Sequence, residues 1–197
     1  EYYASPVTYS YWNSCSNGGR QGLIEAQRYP DDFDGIVANA PWVDQTGFTI
    51  GAMWNQRALT EAPVPLPKLN LVAARVMSAC DGVDGLVDGL IDDPRACAFD
   101  PARDVPACRD GADASDCLTP AQAGSLRKVY GGVTSNGKPF FPGFMYGSEA
   151  VTAGPNGAST SGWANLIVPA QPAAKPADFN LAEGTMRYLA FDPARPD

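Results

Sequence analysis

Tyr11-Trp12-Asn13-Ser14-Cys15-Ser16-Asn17-Gly18-Gly19-Arg20-Gln21-Gly22-Leu23 is the stretch on which the reading of the fold turns. Before and into it, Val7 to Asn13 is rich in β-branched and aromatic residues and predicts a strand. From Arg20 to Tyr29 the pattern becomes helical, with Leu23, Ile24 and Ala26 apolar and Pro30 just past the end. Phe33 to Ala40 is a short apolar run closed by Pro41, as expected of a buried parallel strand. Strand, tight turn, helix, strand is one βαβ unit, which sets the class as α/β and occupies residues 1 to 44.

The turn inside that unit carries the chemistry. A serine flanked by small residues between a strand and a helix forms a nucleophile elbow, in which the sharp bend pushes the hydroxyl clear of the sheet. The pattern here is Ser14-x-Ser16-x-Gly18, with serine in place of the first glycine and an additional Gly19. Asn17 follows the candidate nucleophile Ser16, so its backbone N–H is the candidate oxyanion donor, aided by the helix N-terminus. The competing reading is a Ser/Asn/Gly turn that only caps a helix.

Beyond Trp42 the character changes. A proline-rich stretch, Ala62 to Pro67, leads into a predicted helix with Leu69, Val72, Ala73 and Val76 on one face. Thr119-Pro120-Ala121-Gln122 announces another over Pro120 to Tyr130, with a threonine cap, proline at the first helical position and glutamine three residues after the cap. Asn136-Gly137 before Phe140-Phe141 signals a hairpin. Residues 147 to 162 read as a long surface loop and Pro169 to Pro176 as a connector.

Composition bounds what this assembly does. The 197 residues hold 14 Lys plus Arg against 22 Asp plus Glu, a formal charge of −8 with the few basic residues scattered, which argues against nucleic acid or an anionic membrane as partner. There is no histidine, so these residues alone supply no imidazole base and no imidazole metal ligand. The five cysteines read most naturally as two pairs and a leftover. If neighbours bridge, Cys80–Cys97 and Cys108–Cys117 close short loops and imply an oxidising compartment; the alternative is a set of reduced, buried thiols. Between Cys80 and Cys97, Asp81, Asp84, Asp88, Asp92 and Asp93 place five carboxylates in thirteen residues, interleaved with glycine. A hard cation with oxygen ligands relieves their mutual repulsion. An EF-hand is rejected because Arg95 stands twelfth from Asp84, where a bidentate glutamate is required. An alternating loop would instead turn the side chains of Asp81, Asp84 and Asp88 and the carbonyls of Leu86 and Leu90 inward; a solvated acidic loop is the other reading.

Tyr11 to Leu23, continuing through Glu25-Ala26-Gln27-Arg28-Tyr29-Pro30 and Phe33-Asp34-Gly35-Ile36, resembles the nucleophile region of the tannase and feruloyl esterase family, which includes mono(hydroxyethyl) terephthalate hydrolases. The shared signature is Cys-Ser-x-Gly-Gly on an α/β-hydrolase core with a large lid; Ser14 departs from it, standing where the family usually has glycine. The resemblance extends through Leu118 to Gln122, Pro142-Gly143, Gly147-Ser148-Glu149 and Gly162-Trp163. It implies that Ser16 is the nucleophile, and that Cys15 bonds to a cysteine outside the chain beside the catalytic histidine. It further implies that Asp81, Asp84, Leu86, Asp88 and Leu90 hold a structural calcium in the lid.

The expected organisation is therefore a partial α/β-hydrolase core over residues 1–44, a disulfide- and calcium-stapled lid over 45–190, and the start of a return to the core over 191–197. The expected activity is serine hydrolysis of hydroxycinnamic, gallic or terephthalic-type esters by a secreted or periplasmic enzyme. These residues form an internal fragment of it, inactive alone, because neither Asp192 nor Asp197 sits in a matching motif and the base and acid of the triad are absent. Lid aromatics Phe140, Phe144, Tyr146 and Trp163 are candidates for stacking on an aromatic acyl group, although core packing is the commoner use of such residues. The alternative from another class is a non-catalytic, calcium-stabilised module or pseudoenzyme that binds aromatic ligands.

Overall fold

The computed structural model describes residues 5–150, 162–169 and 174–190. The chain divides into two compact units, Glu1–Gln45 and Thr46–Asp197.

In the first unit, strand β1 (Tyr11–Cys15) runs into helix α1 (Asn17–Arg28) with Ser16 alone between them, and strand β2 (Gly35–Asn39) lies parallel to β1. The register pairs Trp12 with Ile36 and Cys15 with Asn39. A reciprocal link at the strand entrances fixes it: Ser10 N–H donates to Asp34 Oδ2 at 2.7 Å and Asp34 N–H donates to the Ser10 carbonyl at 2.8 Å. The predicted strand over 7–13 is thereby corrected to 11–15. Val7 and Tyr9 have β propensity but stay exposed and lack a partner strand, and pairing decides the element. The helix predicted from Arg20 starts three residues earlier. Gly18 and Gly19 are helical because their missing side chains let α1 sit close to the strands.

The second unit is mainly helical. Helix α2 (Gln45–Glu61) leads to α3 (Leu66–Cys80), followed by two 3₁₀ turns and the single-turn helix α4 (Pro101–Asp104), then α5 (Pro120–Gly131). A hairpin of β3 (Val133–Ser135) and β4 (Lys138–Phe141) and helix α6 (Ala177–Tyr188) complete the described elements. The core joins Leu69, Val72 and Val76 of α3 to Leu126 and Val129 of α5, with Phe99, Trp163, Ile167 and Val168. Pro67 sits in the first turn of α3, and α5 opens with the full capping box: Thr119 Oγ1 accepts from Gln122 N–H while Gln122 Oε1 accepts from Thr119 N–H. The hairpin turns on Asn136 and Gly137, both at positive φ (52° and 73°), as a two-residue turn between twisted strands requires.

Both neighbouring cysteine pairs bridge, Cys80–Cys97 and Cys108–Cys117, and Cys15 is a free, exposed thiol. Two long helices, α2 and α6, have no counterpart in the sequence reading. The loop read over 147–162 lies outside the described residues from 151 to 161, as do 170–173 of the connector and the segment 191–197 with Asp192 and Asp197.

Candidate active site

Ser16 is the junction of β1 and α1, and its backbone is unusual. It adopts φ 56°, ψ −117°, a region that costs a residue with a side chain about 1–3 kcal/mol. Three backbone hydrogen bonds hold it there. Its N–H donates to the Asn39 carbonyl at 3.1 Å, and its own carbonyl accepts from Arg20 N–H at 3.0 Å and Trp42 N–H at 3.1 Å. The Ser16 side chain makes no capping bond to α1 and the residue is exposed, so the turn does not use the hydroxyl to cap the helix.

The glycines explain how the bend is packed. A Cβ on Gly19 would lie 2.5 Å from the Asn39 carbonyl oxygen, the group that accepts the Ser16 N–H. A Cβ on Gly22 would meet the Trp12 ring at 2.8 Å, and Trp12 Nε1 donates to the Gly18 carbonyl at 3.0 Å. Ser14, on the inward side of β1, fits because Gly18 opposite has no side chain. Asn17 is the first residue of α1, with its N–H among those a helix leaves unpaired at its start. At the far ends of the strands, Asn39 Nδ2 donates to Asn13 Oδ1 at 2.9 Å. Asn39 at the end of β2 and Trp42 beyond it thus brace the turn, a role their sequence does not announce, since the run through Ala40 and Pro41 reads only as a strand ending.

The acidic loop follows α3 in the second unit. Asp81 is buried at the helix C-terminus, where the backbone dipole disfavours a carboxylate, and its Oδ1 accepts from Asp88 N–H (3.2 Å) and Gly89 N–H (3.0 Å). Asp84 and Asp88 are exposed and each accepts from the N–H two residues on, at 2.8 Å from Leu86 and 3.1 Å from Leu90. Asp93 pairs with Arg95, the loop's only ion pair among the described residues. Among those residues no three Asp, Glu or Cys side chains gather as a group that would hold a metal ion. Carboxylate and carbonyl oxygens are the donor type that a hard cation takes. Oδ2 of Asp81, Asp84 and Asp88 and the carbonyls of Leu86 and Leu90 take no hydrogen bond among the described residues, and all belong to one short loop closed by the Cys80–Cys97 bridge.

Of the four candidate stacking aromatics, Trp163 is core. It is fully buried, donates from Nε1 to Ser148 Oγ at 2.9 Å and lies 5.4 Å from the Tyr130 ring and 5.6 Å from Phe144. Tyr146 donates to the Phe99 carbonyl at 2.9 Å within the same cluster. Only Phe140 is exposed. Three polar groups in this unit are buried in a way the sequence reading does not foresee. Glu149 is wholly buried, accepting from Tyr130 Oη–H at 2.7 Å and from Gly147 N–H; burial pushes its carboxyl above the ordinary range and, with the neighbouring carboxylate, pushes the Tyr130 phenol up. Lys68 is buried between Asp113 and Gln122, and holds the Asp113 carboxyl below its usual range. Asp178, buried in the first turn of α6, is pushed up to about 6.

The family described as tannase and feruloyl esterase matches residues 1–194. The chain belongs to that family. It is 40% identical to a probable feruloyl esterase of Arthroderma benhamiae over 139 residues, 70% of this chain and 26% of that protein. It is 33% identical to the mono(2-hydroxyethyl) terephthalate hydrolase of Piscinibacter sakaiensis over 189 residues, 82% of this chain and 30% of that protein. Among solved structures, feruloyl esterase B from Aspergillus oryzae superposes with a TM-score of 0.59 at 28% identity, covering 90% of this chain and 39% of that one. The chain thus spans roughly a quarter to a third of the length of these two curated relatives. The relatives are named as ester hydrolases, and the two disulfides of this chain accord with the sequence expectation.

Proposed function

We propose that these residues form the nucleophile-bearing part of a partial α/β-hydrolase core together with the lid of a serine hydrolase. It cleaves esters of aromatic acids of the hydroxycinnamic, gallic or terephthalic type. The observation that carries this reading is the backbone of Ser16, an exposed residue with a side chain, held at φ 56° between a strand and a helix, whose hydroxyl does not cap the helix. Ser16 Oγ attacks the ester carbonyl carbon, the C–O bond to the alcohol breaks, and water then releases the acid from the acyl-serine. The Asn17 N–H stabilises the oxyanion from the start of α1. The serine proton needs an acceptor that then hands it to the leaving alkoxide, and these residues contain no histidine for that role. In this reading the base, its orienting acid and the partner of Cys15 are supplied from outside the 197 residues.

The acidic loop would hold calcium through Asp81, Asp84 and Asp88 and the carbonyls of Leu86 and Leu90, a structural ion that neutralises the loop and takes no part in the serine chemistry. Two disulfides suit a secreted or periplasmic protein.

Two experiments test these readings. The 197-residue chain and an extended form bearing a histidine are assayed on methyl ferulate, a galloyl ester and mono(2-hydroxyethyl) terephthalate. Turnover is expected in the extended form only and is lost on Ser16→Ala; serine-dependent turnover by the short chain refutes the need for an outside base. For the loop, thermal unfolding is followed against calcium concentration. Calcium is expected to raise Tm, and Asp84→Ala with Asp88→Ala to remove the shift; a Tm indifferent to calcium leaves the loop merely solvated.

A further inference from the structure

We propose that Ser14 is a positioning residue for Ser16, acting through Gly18; the inference rests on reading Ser16 as the nucleophile. Along β1 the side chains alternate, so Trp12 and Ser14 both face α1. On α1, Gly18 and Gly22 are one turn apart and meet them, Gly22 under the Trp12 ring and Gly18 under Ser14. The second contact is the tighter. A Cβ on Gly18 would stand 1.8 Å from Ser14 Oγ and 2.6 Å from Ser14 Cβ, so the hydroxymethyl group occupies the very space a residue-18 side chain would need. Trp12 Nε1 meanwhile grips the Gly18 carbonyl at 3.0 Å.

One residue, Ser16, separates the end of β1 from the start of α1. The distance between strand and helix at Ser14 and Gly18 therefore governs the bend between them, and with it the relative placement of the Ser16 hydroxyl and the Asn17 N–H. The hydroxymethyl of Ser14 acts as a spacer. In this chain residue 14 carries the side chain that fills the space, and residue 18 carries none.

A mutant cycle in the active, histidine-bearing enzyme tests this, with Tm, kcat and KM measured for each variant. Ser14→Gly is expected to lower kcat by about tenfold at unchanged KM, since small misplacements of reacting groups are costly in rate. Ser14→Ala keeps the Cβ spacer and recovers most of that loss. Gly18→Ala in the native background is expected to lower kcat by about a hundredfold and to lower Tm. Adding Ser14→Gly to it restores kcat and Tm toward those of Ser14→Gly alone, whereas adding Ser14→Ala does not, because Cβ alone already blocks residue 18. Additive effects in the cycle overturn the proposal, as does coupling in Tm without coupling in kcat. If Gly18→Ala fails to fold, an unchanged kcat in Ser14→Gly overturns it equally. Turnover that survives Ser16→Ala marks a different failure, that of the nucleophile, and leaves the Tm cycle intact as a reading of the packing.

Discussion

Replacing Glu149 by glutamine should make the protein more stable than the native form at neutral pH and leave the two alike in acid. The carboxyl is wholly buried, receives hydrogen bonds from Tyr130 (2.7 Å) and Gly147, and has no cationic partner among the described residues. Those bonds favour ionisation, but burial outweighs them and raises the carboxyl above its ordinary range. The unfolded chain therefore gives up this proton at a lower pH than the native protein does. Below the ordinary carboxyl range both states are protonated and the group has no pH-dependent effect. As pH rises towards the native value, stability is lost, at about 1.4 kcal/mol for each unit by which the two values differ. Each kcal/mol moves Tm by roughly 2–4 °C in a chain of this size. Glutamine keeps an oxygen acceptor for the Tyr130 hydroxyl and does not titrate. Thermal unfolding of both proteins from pH 4 to pH 8, followed by circular dichroism, gives a Tm difference that should widen in favour of Glu149→Gln as pH rises. Carboxylates lowered by ion pairs, Asp100 beside Arg127 and Glu183 beside Lys175, respond with the opposite sign but are present in both proteins and cancel. A difference that stays flat, or that favours the native protein at high pH, refutes the reasoning.

Removing the Cys80–Cys97 bridge by paired serine substitution should cost about 3 kcal/mol for its 17-residue separation, read from urea unfolding, and the loss should be greater than for Cys108–Cys117, which spans nine. Thr119→Ala removes the hydroxyl that accepts from Gln122 N–H and should cost about 1 kcal/mol, with faster hydrogen exchange confined to the first turn of α5.

The parts legible in the sequence are those whose chemistry is local. The capping box of α5 needs only Thr119, Pro120 and Gln122, and the hairpin needs only Asn136 and Gly137. Elements that depend on distant partners were not legible. Helix α2 contains Thr46, Gly47, Thr49, Ile50 and Gly51, a poor helical run by propensity. It is held by tertiary contacts: Ser125 Oγ donates to the Ala58 carbonyl at 2.7 Å, Trp54 Nε1 donates to the Lys128 carbonyl at 3.0 Å, and Gly51 lies against the Phe141 ring. Helix α6 likewise carries Asn180, Gly184 and Thr185, and its first turn is fastened by backbone bonds from Ala177 and Asp178 to the carbonyls of Asn165 and Leu166. In the acidic loop the composition was plain but the side-chain directions were not, because short aspartates satisfy their own backbone two residues on.

The backbone itself bears on whether the elbow is catalytic or only a turn. Among the described residues, glycine occupies seven positions of positive φ, and Asp110, Asn136 and Asn165, whose short polar side chains tolerate that conformation, occupy three more. Two are left without such an excuse, Ser16 at 56° and Ala40 at 36°. They are not independent. Ala40 follows Asn39, whose carbonyl accepts the Ser16 N–H, and precedes by two the Trp42 N–H that donates to the Ser16 carbonyl. Both unfavourable residues therefore lie on one hydrogen-bonded junction, and strain of about 1–3 kcal/mol at each is concentrated there. A turn selected only to redirect the chain would place glycine at position 16, as glycine stands at seven other positive-φ positions. Serine at that position incurs a conformational cost that no hydrogen bond of its hydroxyl within the described residues offsets, which is intelligible if the hydroxyl acts on something outside the fold.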